Sequence, residues 1–114
     1  MEVVGYEGLE PFTTKDGSTI REYLHTPAQS LAEATLAPGQ ATTRHYHALA
    51  EEIYLLVAGS GTMELDGELR EVGDGDAILI PPGAWHQITA TGDEALRLLC
   101  ACAPPWTAED TLFA

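Results

Sequence analysis

Basic side chains are scarce in this sequence: five Lys and Arg stand against eighteen Asp and Glu, giving a net charge of −13. Lys15, Arg21, Arg44, Arg70 and Arg97 are scattered singly, so no basic patch awaits a phosphate backbone or an anionic lipid surface. Nucleic acid and membranes are poor partners for such a chain, and we expect neither. The excess acid serves solubility through self-repulsion. No apolar run approaches the roughly twenty residues of a membrane span. The opening, MEVVGYEGLE, carries acid where a secretory signal would carry base, which leads us to expect a cytoplasmic protein. Cysteine is nearly absent too. On a strand, Cys100 and Cys102 would face one side with Cα atoms about 6.5 to 7 Å apart, poor geometry for a mutual disulfide. Within LRLLCACA they read as small buried hydrophobes rather than as a redox or metal pair.

Helical stretches are missing as well: no segment supports a helix of ten residues. Turn signals recur instead, as KDG (15–17), APGQ (37–40), AGSG (58–61), LDGE (65–68), VGDGD (72–76), PPGA (81–84) and TGDE (91–94). The pieces between them have strand length. In TMELDGELREV, Met63 and Leu65 alternate with Glu64 and Asp66, and Asp66-Gly67 suits a two-residue hairpin turn. The tail PPWTAEDTLFA suits a short turn starting at Thr107 or a segment lying across a sheet. We expect one all-β domain over residues 1–114, a sandwich or barrel of about eight to eleven strands. IYLLV (53–57), AILI (77–80) and LRLLCACA (96–103) are apolar on both faces, and burying both in so small a barrel calls for a second subunit. A homodimer is the expectation.

Two of the four histidines fall in RHYHALAEE. Residues two apart on a strand face the same way, so His45 and His47 can reach one point. Glu52 opens the next apolar strand, where its carboxylate could meet that point, while Glu51 faces away. His86 arrives in PPGAWHQI, after a turn built on Pro81, Pro82 and Gly83. Three imidazoles and a carboxylate make a ligand set for one divalent transition metal, Fe, Mn, Ni, Co, Cu or Zn. The oxygen-rich sites of calcium and magnesium and the thiolate sites of structural zinc differ from it. The residues taken alone also allow a plain polar patch of hydrogen-bonded histidines. His25, alone in YLHTP, reads as a surface residue.

From Gly39 the chain fits G(X)5HXH(X)4E(X)6G, and from Gly75 it fits G(X)5PXG(X)2H followed by three residues and Ala90. These segments, 39–59 and 75–90, resemble the two signature motifs of the cupin family. The second motif usually ends in Asn; Ala90 stands there instead, which touches local hydrogen bonding and not the metal. The resemblance implies a double-stranded β-helix barrel of jelly-roll type, with His45, His47, Glu52 and His86 holding a metal inside it. Gly39, Gly59, Gly75 and Gly83 suit turns with positive φ, and Pro81 and Pro82 fix the approach of His86.

Four protein ligands leave about two positions of a six-coordinate metal for water, substrate or oxygen. By parity, Thr43, Tyr54, Leu56, Ile88 and Ala90 should line the pocket, with Trp85 either over its mouth or anchored on the surface. Tyr54 is the candidate catalytic proton donor, packing being its alternative role. Arg44 and Tyr46 should face outward, leaving no basic clamp for a phosphorylated substrate. The leading expectation is a metal-dependent enzyme acting on a small organic molecule, with dioxygenase-type chemistry. The alternatives are a non-redox isomerase or decarboxylase, and a binding module that senses a metal or small ligand without turnover.

Overall fold

The computed structural model describes residues 1–15 and 17–114. After a single 3-10 turn, Tyr6–Gly8, the described residues form eleven strands: β1 Phe12–Thr13, β2 Thr19–His25, β3 Ser30–Leu36, β4 His45–His47, β5 Glu51–Ala58, β6 Ser60–Leu65, β7 Glu68–Gly73, β8 Ala77–Ile80, β9 His86–Ala90, β10 Leu96–Ala103 and β11 Thr111–Phe113. They make two antiparallel sheets. One runs β1-β2-β3-β10-β5-β8 and the other β11-β4-β9-β6-β7. This is the all-β, jelly-roll arrangement expected from short strands between frequent turns. No helix among the described residues is long and apolar enough to cross a membrane.

Alternation decides which side chains meet between the sheets. In β5, Glu52, Tyr54 and Leu56 are buried while Glu51, Ile53 and Leu55 are exposed. In β9, His86, Ile88 and Ala90 point inward. Leu36, Leu56, Met63, Ile80, Ile88, Leu96 and Leu98 fill the core, each burial worth about 1.5–3 kcal/mol for the larger side chains.

The turns are built as their residues require. Asp66 (φ 48°) and Gly67 (φ 90°) close the β6–β7 hairpin, opposite the Leu65–Glu68 pair, a twist that suits the flanking strands. Gly59 has φ 86°, and a Cβ there would lie 2.7 Å from the Ala95 carbonyl oxygen and 3.0 Å from Leu96 Cα. Backbone passes where a side chain would stand. The KDG turn contains Asp16, which lies outside the described residues.

The two ends of the larger sheet's outer face differ. Near β2 and β3, Tyr6 lies against the guanidinium groups of Arg21 (5.2 Å) and Arg97 (5.7 Å), and Arg97 Nη2 pairs with the buried Glu33 at 2.6 Å. Toward the β8 edge, Ile53, Leu55, Val57 and Leu79 stay exposed. The tail does both things its sequence suggested: the Thr107 hydroxyl accepts from the Asp110 N–H at 3.1 Å, and β11 then pairs with β4.

Candidate metal centre

His45 and His47 are the first and last residues of a three-residue strand, and His86 opens β9 directly opposite His45. The turn before His86 is tied to the same place, because the Gly83 N–H donates to the His47 carbonyl at 2.7 Å and the Ala84 N–H to the Pro81 carbonyl at 3.2 Å. Gly83 does this with φ 81°. The three rings gather with centroids 4.2 Å (His45–His86), 5.1 Å (His45–His47) and 5.6 Å (His47–His86) apart. One ligand atom from each lies within 4.8 Å of the others. Glu52 joins them, its Oε1 3.2 Å from His47 Nε2 and 3.6 Å from His86 Nε2. All four residues are at most 3% exposed.

The hydrogen bonds at the rear of each ring settle which nitrogen faces the centre. His45 Nδ1 lies 2.7 Å from the Thr43 carbonyl and His86 Nδ1 3.0 Å from the Ala84 carbonyl. A carbonyl only accepts, so both Nδ1 atoms carry the proton. His47 Nδ1 lies 3.2 Å from Thr111 Oγ1, whose own proton goes to the Thr107 carbonyl at 2.8 Å. That hydroxyl therefore accepts, and His47 is held in the same form. In its neutral form, a ring held this way turns an Nε2 lone pair toward its neighbours.

Such an arrangement contains acceptors without donors. Glu52 Oε1 and His86 Nε2 are buried and make no hydrogen bond, despite lying 3.6 Å apart. Closeness here is not bonding, since two lone pairs face each other. Leaving such groups unmatched costs about 1–3 kcal/mol each, and a cation among them removes that cost. For Glu52, burial favours the neutral acid, but His47 and His86, once they carry a second proton, donate to it and outweigh burial, lowering the carboxyl to about 2. Burial opposes charge on His47, yet Glu52 beside it raises the imidazole above its ordinary value. The cluster thus attracts positive charge, as a proton or as a metal. The second carboxylate oxygen is engaged elsewhere: the buried Cys102 thiol donates to Oε2 at 3.3 Å, and burial followed by this carboxylate pushes the thiol up, well away from ionising.

A cavity of about 330 Å³ reaches this cluster at Glu52. Tyr54 and Ile88 line it as expected, the Tyr54 ring 6.0 Å from that of His86. Other expected positions differ. Thr43 is exposed, its hydroxyl donating to the Lys15 carbonyl at 3.3 Å; Thr42 lines the cavity instead. Parity fails there because residues 42–44 precede the strand, and Thr42 is pulled inward by bonds to the Ile88 carbonyl and N–H. Leu56 and Ala90 are buried in the core away from the cavity wall. Trp85 does not cover the mouth. It lies outside against Tyr46 (4.6 Å) and Arg44 (5.1 Å), whose outward direction the alternation had indicated, and Arg44 pairs there with Glu64.

Trp106 and Phe113 from the tail supply the aromatic walls, with Leu98, Ala34 and Ile20 opposite. Lys15 stands among the lining residues, exposed at the rim, so one basic group does border the pocket. Cys102 and Thr111 also act on the cluster without any local pattern announcing them. They reach Glu52 and His47 across 50 and 64 residues of sequence. His25 is exposed beside Glu22 at 3.2 Å, away from the cluster.

Residues 32–102 match the model of the cupin domain. An uncharacterised protein of Methanocaldococcus jannaschii is 46% identical over 111 residues, covering 93% of this chain and 89% of its own. A polyketide synthase protein, CurC, of Streptomyces cyaneus is 31% identical over 108 residues, 90% of this chain and 69% of its own. Among solved structures, Pac13 of Streptomyces, a nucleoside dehydratase, superposes with a TM-score of 0.83 at 19% identity, over the whole of this chain and 90% of that one.

Proposed function

Since the chain belongs to the cupin family, we propose that His45, His47, Glu52 and His86 hold one divalent transition metal and that the protein is an enzyme acting on a small organic molecule in the adjoining cavity. The observation that carries this reading is the set of inward Nε2 lone pairs around a buried carboxylate oxygen with no hydrogen-bond donor. A polar patch of hydrogen-bonded histidines would have alternated donors and acceptors. Imidazole and carboxylate together suit iron, manganese, cobalt, nickel, copper or zinc.

Such an ion supplies Lewis acidity to a coordinated oxygen of the substrate and, where it is iron, a redox couple for reaction with dioxygen. One carboxylate against a dication leaves a net positive centre that favours an anionic oxygen. The walls of Trp106, Phe113, Ile20, Leu98 and Ile88 accept an apolar body. Dioxygenase-type chemistry is the reading we favour, because a mostly apolar cavity beside the metal ligands suits an apolar substrate oxidised in place. Tyr54 favours a second reading, isomerisation or a related proton transfer. It is a buried phenol on the cavity wall and next to His86, placed to hand a proton to a bound substrate. Metal analysis of protein purified without added metal tests the first step: iron supports the oxygen chemistry, zinc or nickel supports the second reading, and a metal-free product that takes up none on loading rejects the centre.

We further propose a homodimer through the outer face of β5 and β8. Ile53, Leu55, Val57 and Leu79 are exposed there, and the chain's own N-terminal residues close only the opposite end of that sheet. On a molecule of charge −13, a second copy meets less repulsion at a face that is mostly apolar and carries the carboxylate of β5, Glu51, only at its end. Leu55→Arg or Leu79→Glu is expected to convert dimer to monomer by sedimentation velocity, with the metal content per chain unchanged. A monomeric wild-type chain at micromolar concentration overturns this.

A further inference from the structure

The Nδ1 atom of His47 is held by a side chain, the Thr111 hydroxyl. His45 and His86 donate to backbone carbonyls two residues away, Thr43 and Ala84, which no substitution removes. His47 donates to the hydroxyl of Thr111, delivered by β11 in direct register with it. Around Thr111 the same segment is anchored firmly. Asp110 accepts the Leu49 and Ala50 N–H groups on its carboxylate at 2.8 and 3.0 Å, and its carbonyl accepts the Ala48 N–H at 3.3 Å. These bonds clamp the link between His47 and Glu52.

The hydroxyl matters because His47 has a competing arrangement. Its Nε2 lies 3.2 Å from Glu52 Oε1. If the proton sat on Nε2, the ring would donate to that oxygen, and both atoms would be withdrawn from a metal at once. With its proton committed to the Thr107 carbonyl, Thr111 can only accept, so it draws the His47 proton to Nδ1 and leaves Nε2 bare. We infer that Thr111 is a positioning residue that keeps His47 in its metal-ready form and so prevents the pair from closing on itself. This inference rests on the reading of the cluster as a metal centre.

Thr111→Val keeps the shape and removes the acceptor; Thr111→Ser restores it. Two measurements test the inference separately from that reading. In the metal-free chain at alkaline pH, where the ring is neutral, long-range proton–nitrogen correlation reports the tautomer of His47. Wild type and Thr111→Ser are expected to carry the proton on Nδ1, and Thr111→Val to move it to Nε2. Metal affinity, by competition with a chromophoric chelator, should fall 10- to 100-fold in Thr111→Val, the range for loss of an outer hydrogen bond to a ligand, and recover to within a few-fold in Thr111→Ser. A Thr111→Val chain with wild-type tautomer and wild-type affinity overturns the inference. A wild-type chain that binds no metal rejects the metal centre instead, while the tautomer measurement still decides the role of Thr111.

Discussion

Adding a fitting divalent metal at about a hundred times its Kd should raise the Tm of the metal-stripped chain by on the order of 10 °C. Binding to the folded state alone contributes about 2.7 kcal/mol at that excess, and in a domain of this size each kcal/mol moves Tm by roughly 4 °C. At alkaline pH, where His47 is neutral, Glu52→Gln should remove most of that rise without lowering the starting point. The reason lies in the unmatched atoms. Glu52 Oε1 and His86 Nε2 have no hydrogen bond, and a glutamine amide puts an N–H donor where the cluster has only lone pairs. The metal-free variant should therefore melt no lower than metal-free wild type while responding weakly to metal. His86→Ala should lose the response too, with a lower starting Tm because it opens space at a site 0% exposed. Differential scanning calorimetry of the three proteins, stripped and loaded, checks this. Full metal response in Glu52→Gln would remove the carboxylate from the ligand set.

Gly59→Ala should cost about 2–5 kcal/mol of folding stability, combining about 1–2 for a left-handed backbone with about 1–3 for overpacking. The second part arises because the new methyl would sit 2.7 Å from the Ala95 carbonyl oxygen, an immobile backbone atom at the approach to β10. Gly39 makes the control. Its φ is 82°, yet nothing lies within 4 Å of a Cβ there, so Gly39→Ala should cost only the backbone part, about 1–2 kcal/mol. Urea unfolding of the two variants separates strain from collision. Equal losses would show that the close pass of Gly59 over β10 has slack.

Much of the centre could be read from order in the sequence alone. Two-residue alternation placed His45 with His47, separated Glu52 from Glu51, and turned Arg44 and Tyr46 outward, because those residues lie in or beside regular strand. The glycines fell where φ is positive. Alternation failed where the strand stops: Thr43 was expected inside and Thr42 took its place. Leu56 obeyed its parity but met the core instead of the cavity. Of the two tryptophans, the one near His86 in sequence lies outside, and Trp106, twenty residues on, forms a wall. That choice depends on how the tail folds back, as does the contact of Thr111 with His47, whereas Cys102 meets Glu52 through the pairing of β10 with β5. No local pattern encodes a partner fifty residues away.

The position of β10 bears on the order in which the molecule can assemble. It lies between β3 and β5 and pairs with both, so the large sheet has no middle until residues 96–103 have travelled back to meet segments some forty and sixty residues earlier. Closing such loops costs entropy before any pairing compensates, and proteins dominated by distant pairings fold slowly. The Thr111 contact that orients His47 likewise forms only when β11 has returned across 64 residues to pair with β4. A metal should therefore act as a late lock, slowing unfolding while leaving the refolding rate nearly unchanged.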